Sequence, residues 1–130
     1  MGIEPFLVSS TLSGVMAQRL VRMICPDCKT ELNPRDVKLP KAANFSKGDK
    51  LFHGSGCREC RNSGYRGRTG LYELMIMNEE LGEKIIQRVA SSELVRIGCA
   101  NGMRLLSEDG WLKVKKGNTT LAEVMRVTAV

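Results

Sequence analysis

Cys25-Pro-Asp-Cys28 and Cys57-Arg-Glu-Cys60-Arg-Asn-Ser-Gly-Tyr-Arg-Gly-Arg-Thr-Gly70 are the two stretches on which the reading of this sequence turns. Together they give the pattern C-x2-C-x28-C-x2-C, in which each pair turns tightly enough to set two sulfurs on one ion. Four thiolates complete a tetrahedron, and zinc suits it: the ion has no geometric preference of its own and accepts soft sulfur donors at about 2.3 Å. A closed four-sulfur shell leaves no position for water, so the expected role is structural. Two other uses of the same thiols stand beside this one, a redox Cys-x-x-Cys and an iron-sulfur cluster. The first lacks flanking strands and helices in alternation, and the long separation between pairs is not a familiar ferredoxin spacing. His53, four residues before Cys57, reads as a surface or supporting histidine and not as a ligand.

Outward from the cysteines, the bulk numbers describe one modest globular unit. The 130 residues are 42% hydrophobic and 26% charged, with aromatics at only 5%. A core built from Leu, Ile, Val and Met at this length often needs a metal or a partner to hold it. No signal peptide and no run of eighteen apolar residues is present, which points to the cytoplasm. In a reducing compartment paired cysteines are metal ligands before they are disulfides. Cys99 is then the odd one, expected to be a small buried hydrophobe, and Trp111 a packing residue. The net charge of +6 is compatible with nucleic acid, acidic lipid, phosphate or an acidic protein surface, and does not choose among them.

Before the first cysteine, Leu12, Val15, Met16 and Leu20 recur at helical spacing and predict a helix over about Ser10 to Arg22, with Arg19 and Arg22 one turn apart on a solvated or interface face. Residues 29 to 56 hold Pro34, Pro40 and several glycines and read as an irregular lobe with a strand at Lys50 to His53. Arg68 to Met77 reads as a strand, covered because its polar residues are few. Asn78 can cap a helix carrying Leu81, Ile85 and Val89, and Ser92 a second carrying Leu94, Val95 and Cys99, stopped by Gly102. Leu105, Leu106 and Leu112 mark a third helix ending near Gly117. Thr120-Leu-Ala-Glu123 has the capping-box form ahead of a last short helix. The expected fold is α+β with helices dominant: a segment and helix over 1–24, a four-cysteine zinc lobe over 25–66, and a strand with a C-terminal helical bundle over 67–130.

Gly64 to Gly70 combines glycines that permit close backbone approach with Arg66 and Arg68, whose guanidinium forks match phosphate oxygens. The plainer reading is a tight turn after the metal knuckle with solvated arginines.

Several stretches taken together resemble the type II secretion and type IV pilus assembly ATPases. They are Gly2-Ile-Glu-Pro-Phe-Leu-Val8, Ala17-Gln-Arg-Leu-Val-Arg22, the cysteine pairs, Gly64-Tyr-Arg-Gly-Arg-Thr-Gly-Leu-Tyr-Glu-Leu74, Gly102-Met-Arg-Leu-Leu-Ser-Glu-Asp-Gly110 and Thr119-Thr-Leu-Ala-Glu-Val124. The resemblance covers essentially the whole chain. It implies a hexameric RecA-like motor on the cytoplasmic face of the inner membrane, peripheral to it, of which this chain is the last third, with zinc held by Cys25, Cys28, Cys57 and Cys60. The implied partners are other motor subunits and inner-membrane platform proteins. It also implies that Arg68, and less directly Arg66, lies near the nucleotide phosphates of the assembled motor. The phosphate-loop motif G-x-x-x-x-G-K-[ST] and the magnesium-binding acidic residue are expected before Met1, itself read as an internal methionine, so ATP and magnesium belong to the full-length motor and no catalysis is expected from this chain alone.

Two other classes compete. A free-standing zinc ribbon would bind nucleic acid through Lys41, Lys47, Lys50, Arg58, Arg61, Arg66 and Arg68, with steep salt dependence. Only Phe45, Phe52 and Tyr65 are placed to stack on bases, which counts against it. A chaperone-like zinc knuckle is disfavoured because only one cysteine pair carries a glycine-rich tail.

Overall fold

The structure, a computed structural model, describes residues 2–33, 37–46 and 48–128. Met1, Pro34 and Lys47, which entered the sequence reading, lie outside the described residues. The chain divides into two compact units, one of residues 1–17 and 72–105, the other of residues 18–71 and 106–130. The boundaries at 17/18 and 71/72 fall inside long strands.

Those strands carry the main correction to the sequence reading. Gly14–Ile24 is β1, an 11-residue strand, where a helix over Ser10 to Arg22 is expected. It is hydrogen-bonded to β4, Tyr65–Ile76. The two run antiparallel: the Met77 N–H donates to the Ser13 carbonyl at one end and the Cys25 N–H to the Gly64 carbonyl at the other, both at 3.0 Å. The helical spacing of Val15, Met16 and Leu20 was misleading, since all three are exposed and the strand buries Val21 and Ile24 instead. A distant partner strand, invisible to local periodicity, decides the conformation. β4 begins three residues before its expected start and is not covered: Leu71 is buried, but Tyr72, Leu74 and Ile76 are exposed among the described residues. With strands of 11 and 12 residues the fold is mixed α and β, and helices do not dominate it.

In the first unit, α1 (Pro5–Thr11) is a short helix with proline at its first turn, which the sequence reading missed. It packs against α2 (Glu79–Ile86). Asn78 caps α2 as its position predicts, Oδ1 accepting the Leu81 N–H at 2.8 Å. In α3 (Ser91–Ala100) the boundary residue is Ala90, which offers no side-chain cap, so the expected Ser92 cap is not made. Leu81 and Ile97 are the buried large side chains of this unit.

In the second unit, β2 (Lys29–Leu32) and β3 (Leu51–Gly54) form an antiparallel hairpin with Lys29 opposite Gly54 and Leu32 opposite Leu51. Only β3 was legible beforehand. A 3-10 turn, Lys41–Ala43, lies between them. Helices α4 (Leu106–Lys115) and α5 (Leu121–Thr128) pack on each other. Gly110 faces Val124 so closely that an added Cβ would lie 2.4 Å from Val124 Cγ1. Gly117, at φ +81°, ends the turn after α4 in the left-handed region that favours glycine. One core joins Val21, Ala43, Leu51, Leu71, Trp111, Val114, Leu121 and Val124. Trp111, 3% exposed, is the packing residue expected, with its Nε1 lacking a hydrogen-bond partner.

Candidate metal centre

The four cysteines stand where the two ladders meet. The chain runs from β1 through Cys25-Pro-Asp-Cys28 into β2, and from β3 through Cys57-Arg-Glu-Cys60 to β4. Each pair is thus the crossing from one ladder to the other, and the hairpin closes the 28-residue gap that the sequence leaves between them. Its last contact before the knuckle is direct: both the Ser55 N–H (3.1 Å) and the Ser55 hydroxyl (3.2 Å) donate to the Cys28 carbonyl. On the other side the Cys25 N–H donates to the Gly64 carbonyl. The second knuckle turns through Arg61 and Asn62, both left-handed, while the Asn62 N–H closes onto the Cys57 carbonyl at 2.8 Å.

The result is a cluster in which all four sulfurs lie within 4.8 Å of one another. Cys25 and Cys57 Sγ are 3.8 Å apart, Cys28 and Cys60 3.7 Å, Cys57 and Cys60 3.6 Å. A regular tetrahedron of sulfurs about 2.3 Å from a central ion has edges of about 3.8 Å, so the donor set fits zinc in both chemistry and size. His53 pairs with Thr30 in the hairpin and is outside the cluster. Cys99 is half-buried in α3 and likewise apart.

The thiols are electrostatically unequal. Burial pushes Cys60 up, but N–H donors from Gly64 and Cys57, each 3.3 Å from its sulfur, outweigh it and bring the thiol down to about 6. Burial takes Cys28 up to about 12 against a single backbone donor, from Gly56. The Cys57 thiol receives a lowering hydrogen bond from the Cys60 backbone, yet burial and the neighbouring thiols leave it raised. Burial thus favours the protonated form of Cys28 and Cys57, and a cation bound by these thiols would displace those protons.

Beside this centre, on β4, α5 and β1, the structure places a solvent-open cleft of about 870 Å³. Arg66 and Arg68, singled out in the sequence, both line it, joined by Arg22, which the sequence reading set on a solvated or interface face, and by Arg126, which it did not single out. Arg66 pairs with Asp27 at 3.2 Å, both side chains about half exposed. Arg22 lies on a strand and not on a helix with Arg19. Its guanidinium stacks 4.2 Å over the Tyr65 ring and engages Glu123. Glu123, 1% exposed, was read only as the end of a capping box. Half of that box forms, with Thr120 Oγ1 accepting the Glu123 N–H at 3.2 Å, but the carboxylate turns away to the two arginines. No helix among the described residues is long and apolar enough to cross a membrane.

Comparison with known proteins places these features in a lineage. The family model for Type II/IV secretion system protein matches residues 1–126. The Type II secretion system ATPase E of Vibrio cholerae is 44% identical over 130 residues, and the Type II secretion system protein E of Pseudomonas aeruginosa 40% over 129. The Type IV pilus assembly ATPase PilB of Thermus thermophilus is 39% identical over 132 residues. In each case 98% of this chain is aligned, and the chain spans 25%, 26% and 15% of those relatives respectively. With the family model covering nearly all of it, the chain belongs to the type II/IV secretion system protein family.

Proposed function

We propose that this chain is the structural, zinc-binding C-terminal portion of a hexameric motor ATPase that drives type II protein secretion or type IV pilus assembly. The observation that carries the reading is the four-sulfur cluster with tetrahedral spacing in a chain aligned almost end to end with secretion and pilus ATPases. Cys25, Cys28, Cys57 and Cys60 would hold the ion, which supplies no catalysis and pins the two ladders together. The cysteine lobe over 25–66 then lies between an N-terminal segment (1–24) and a C-terminal part (67–130), all belonging to a RecA-like motor. Nucleotide hydrolysis would need ATP, magnesium and a G-x-x-x-x-G-K-[ST] loop, which this sequence lacks. In the assembled motor Arg68 and Arg66 would lie near the nucleotide phosphates, where a guanidinium stabilises charge during phosphoryl transfer. Its partners would be neighbouring motor subunits and platform proteins of the inner membrane, at whose cytoplasmic face it works as a peripheral component.

Elemental mass spectrometry on purified protein tests the metal reading. About one zinc per chain is expected, lost in Cys25→Ser and in Cys57→Ser. Iron, or no metal with titratable disulfides, overturns it.

A further inference from the structure

We propose that the cleft beside the cysteine lobe is a phosphate-dianion site whose floor is Arg22 and Arg126, with Glu123 behind it as the positioning residue. The carboxylate is buried and is not itself on the cleft wall. It receives Arg22 through Nε at 3.1 Å and Nη2 at 2.8 Å, and Arg126 through Nε at 3.2 Å and Nη2 at 2.9 Å. The Arg22 backbone N–H adds a fifth donor at 2.8 Å. Each guanidinium therefore spends one edge on Glu123 and keeps its Nη1 edge, while both side chains remain more than half exposed or nearly so, at 56% for Arg126 and 50% for Arg22. A guanidinium fixed along one edge presents the other in a set direction, which is what bidentate recognition of an oxyanion requires.

The charge count selects the ligand. Four arginines line the cleft, Glu123 offsets one of them and Asp27 offsets Arg66, leaving about two unmatched positive charges. Arg68 has no ion-pair partner among the described residues, and the Arg22 guanidinium lies 4.2 Å over the Tyr65 ring. A volume of about 870 Å³ lies within the range of small-molecule sites. A doubly charged phosphate group meets that surplus where a monovalent anion leaves half of it. The site shares Arg68 with the nucleotide-proximal pair proposed above and rests on that reading only for where the phosphate comes from in the cell.

The probe is inorganic phosphate, titrated into the zinc-loaded chain at constant ionic strength, with arginine Nε–H resonances as the readout. Phosphate should shift Arg22 and Arg126 together. Arg126→Gln, an exposed change, should weaken binding about tenfold, the equivalent of one charge-assisted hydrogen-bonded contact. Lys116→Gln removes the same charge away from the cleft and should change affinity less than twofold. Glu123→Gln makes the cleft more positive, yet should weaken phosphate binding at least threefold because both guanidiniums lose their anchor. Tighter or equal binding by that variant sinks the positioning role, and if it fails to fold, Glu123→Asp is read in its place. Resonances unmoved by phosphate, or Arg126→Gln binding as the parent does, overturn the site. Zinc content measured on the same samples keeps this result separate from the fate of the metal reading.

Discussion

The two units are held by different means. The unit of residues 18–71 and 106–130 has a contiguous core around Leu71, Trp111, Val114 and Val124, a four-cysteine cluster and a buried carboxylate fed by two arginines. The unit of residues 1–17 and 72–105 buries Leu81 and Ile97 but exposes Ile3, Phe6, Met16, Leu74, Ile76 and Ile86. Large apolar side chains exposed in that number make association through them an expectation. Size alone does not explain the contrast; what separates them is long-range polar contacts and the four-cysteine cluster, concentrated where β1, β4 and α5 converge.

The sharpest way to break this comparison is to remove the metal. A structural zinc contributes on the order of 10 kcal/mol, as much as the whole stability of a typical domain. Chelation should therefore collapse amide hydrogen-exchange protection at Leu71 and Val124, with much smaller losses at Leu81 and Ile97. Equal losses in both places would erase the distinction.

Acid comes next. Burial raises the Glu123 carboxyl, but the hydrogen bonds from Arg126 and Arg22 outweigh it and hold the group down at about 2. A folded value below the ordinary carboxylate range means stability that is fully present above about pH 5 and lost as pH falls toward 2. Because both arginines are half exposed, the loss should be about 2 kcal/mol, read as a drop in denaturant midpoint that Glu123→Gln abolishes. A variant with the parent's acid dependence would remove Glu123 from the account.

The smallest effect belongs to the other unit. Ile76 is 68% exposed, so Ile76→Lys should alter stability by less than about 0.5 kcal/mol. It should nevertheless lower the apparent mass by light scattering at high concentration, because self-association of the parent chain is expected through that apolar face. A parent mass of one chain at every concentration would show that the exposed face is not adhesive.

What the sequence disclosed follows the range of the interactions. The cysteine pairs were legible because two ligands three residues apart already define half a site, and Asn78 because a cap acts within one turn. Thr120 was legible for the same reason, and Glu123 only in part: its backbone obeys the local box, whereas its side chain answers to Arg22, 101 residues earlier. β1 failed for the converse reason, a local periodicity overruled by pairing with a strand some fifty residues on. The hairpin partner β2 carried no signal because three of its four residues are polar and exposed.

The crossing of Gly54 and Gly64 bears on which letters of this lobe can be rewritten. A methyl group on Gly54 would sit 2.1 Å from the Gly64 carbonyl oxygen, and one on Gly64 would sit 2.5 Å from that of Gly54, against backbone that has nowhere to go. A zinc ligand has a substitute, since histidine can stand for cysteine in a tetrahedral site. Empty space between two main chains has none. In the alphabet of this fold the cysteines are spelled with two possible characters and the paired glycines with one, so the most tightly specified positions of the cysteine lobe are residues outside the four-sulfur cluster.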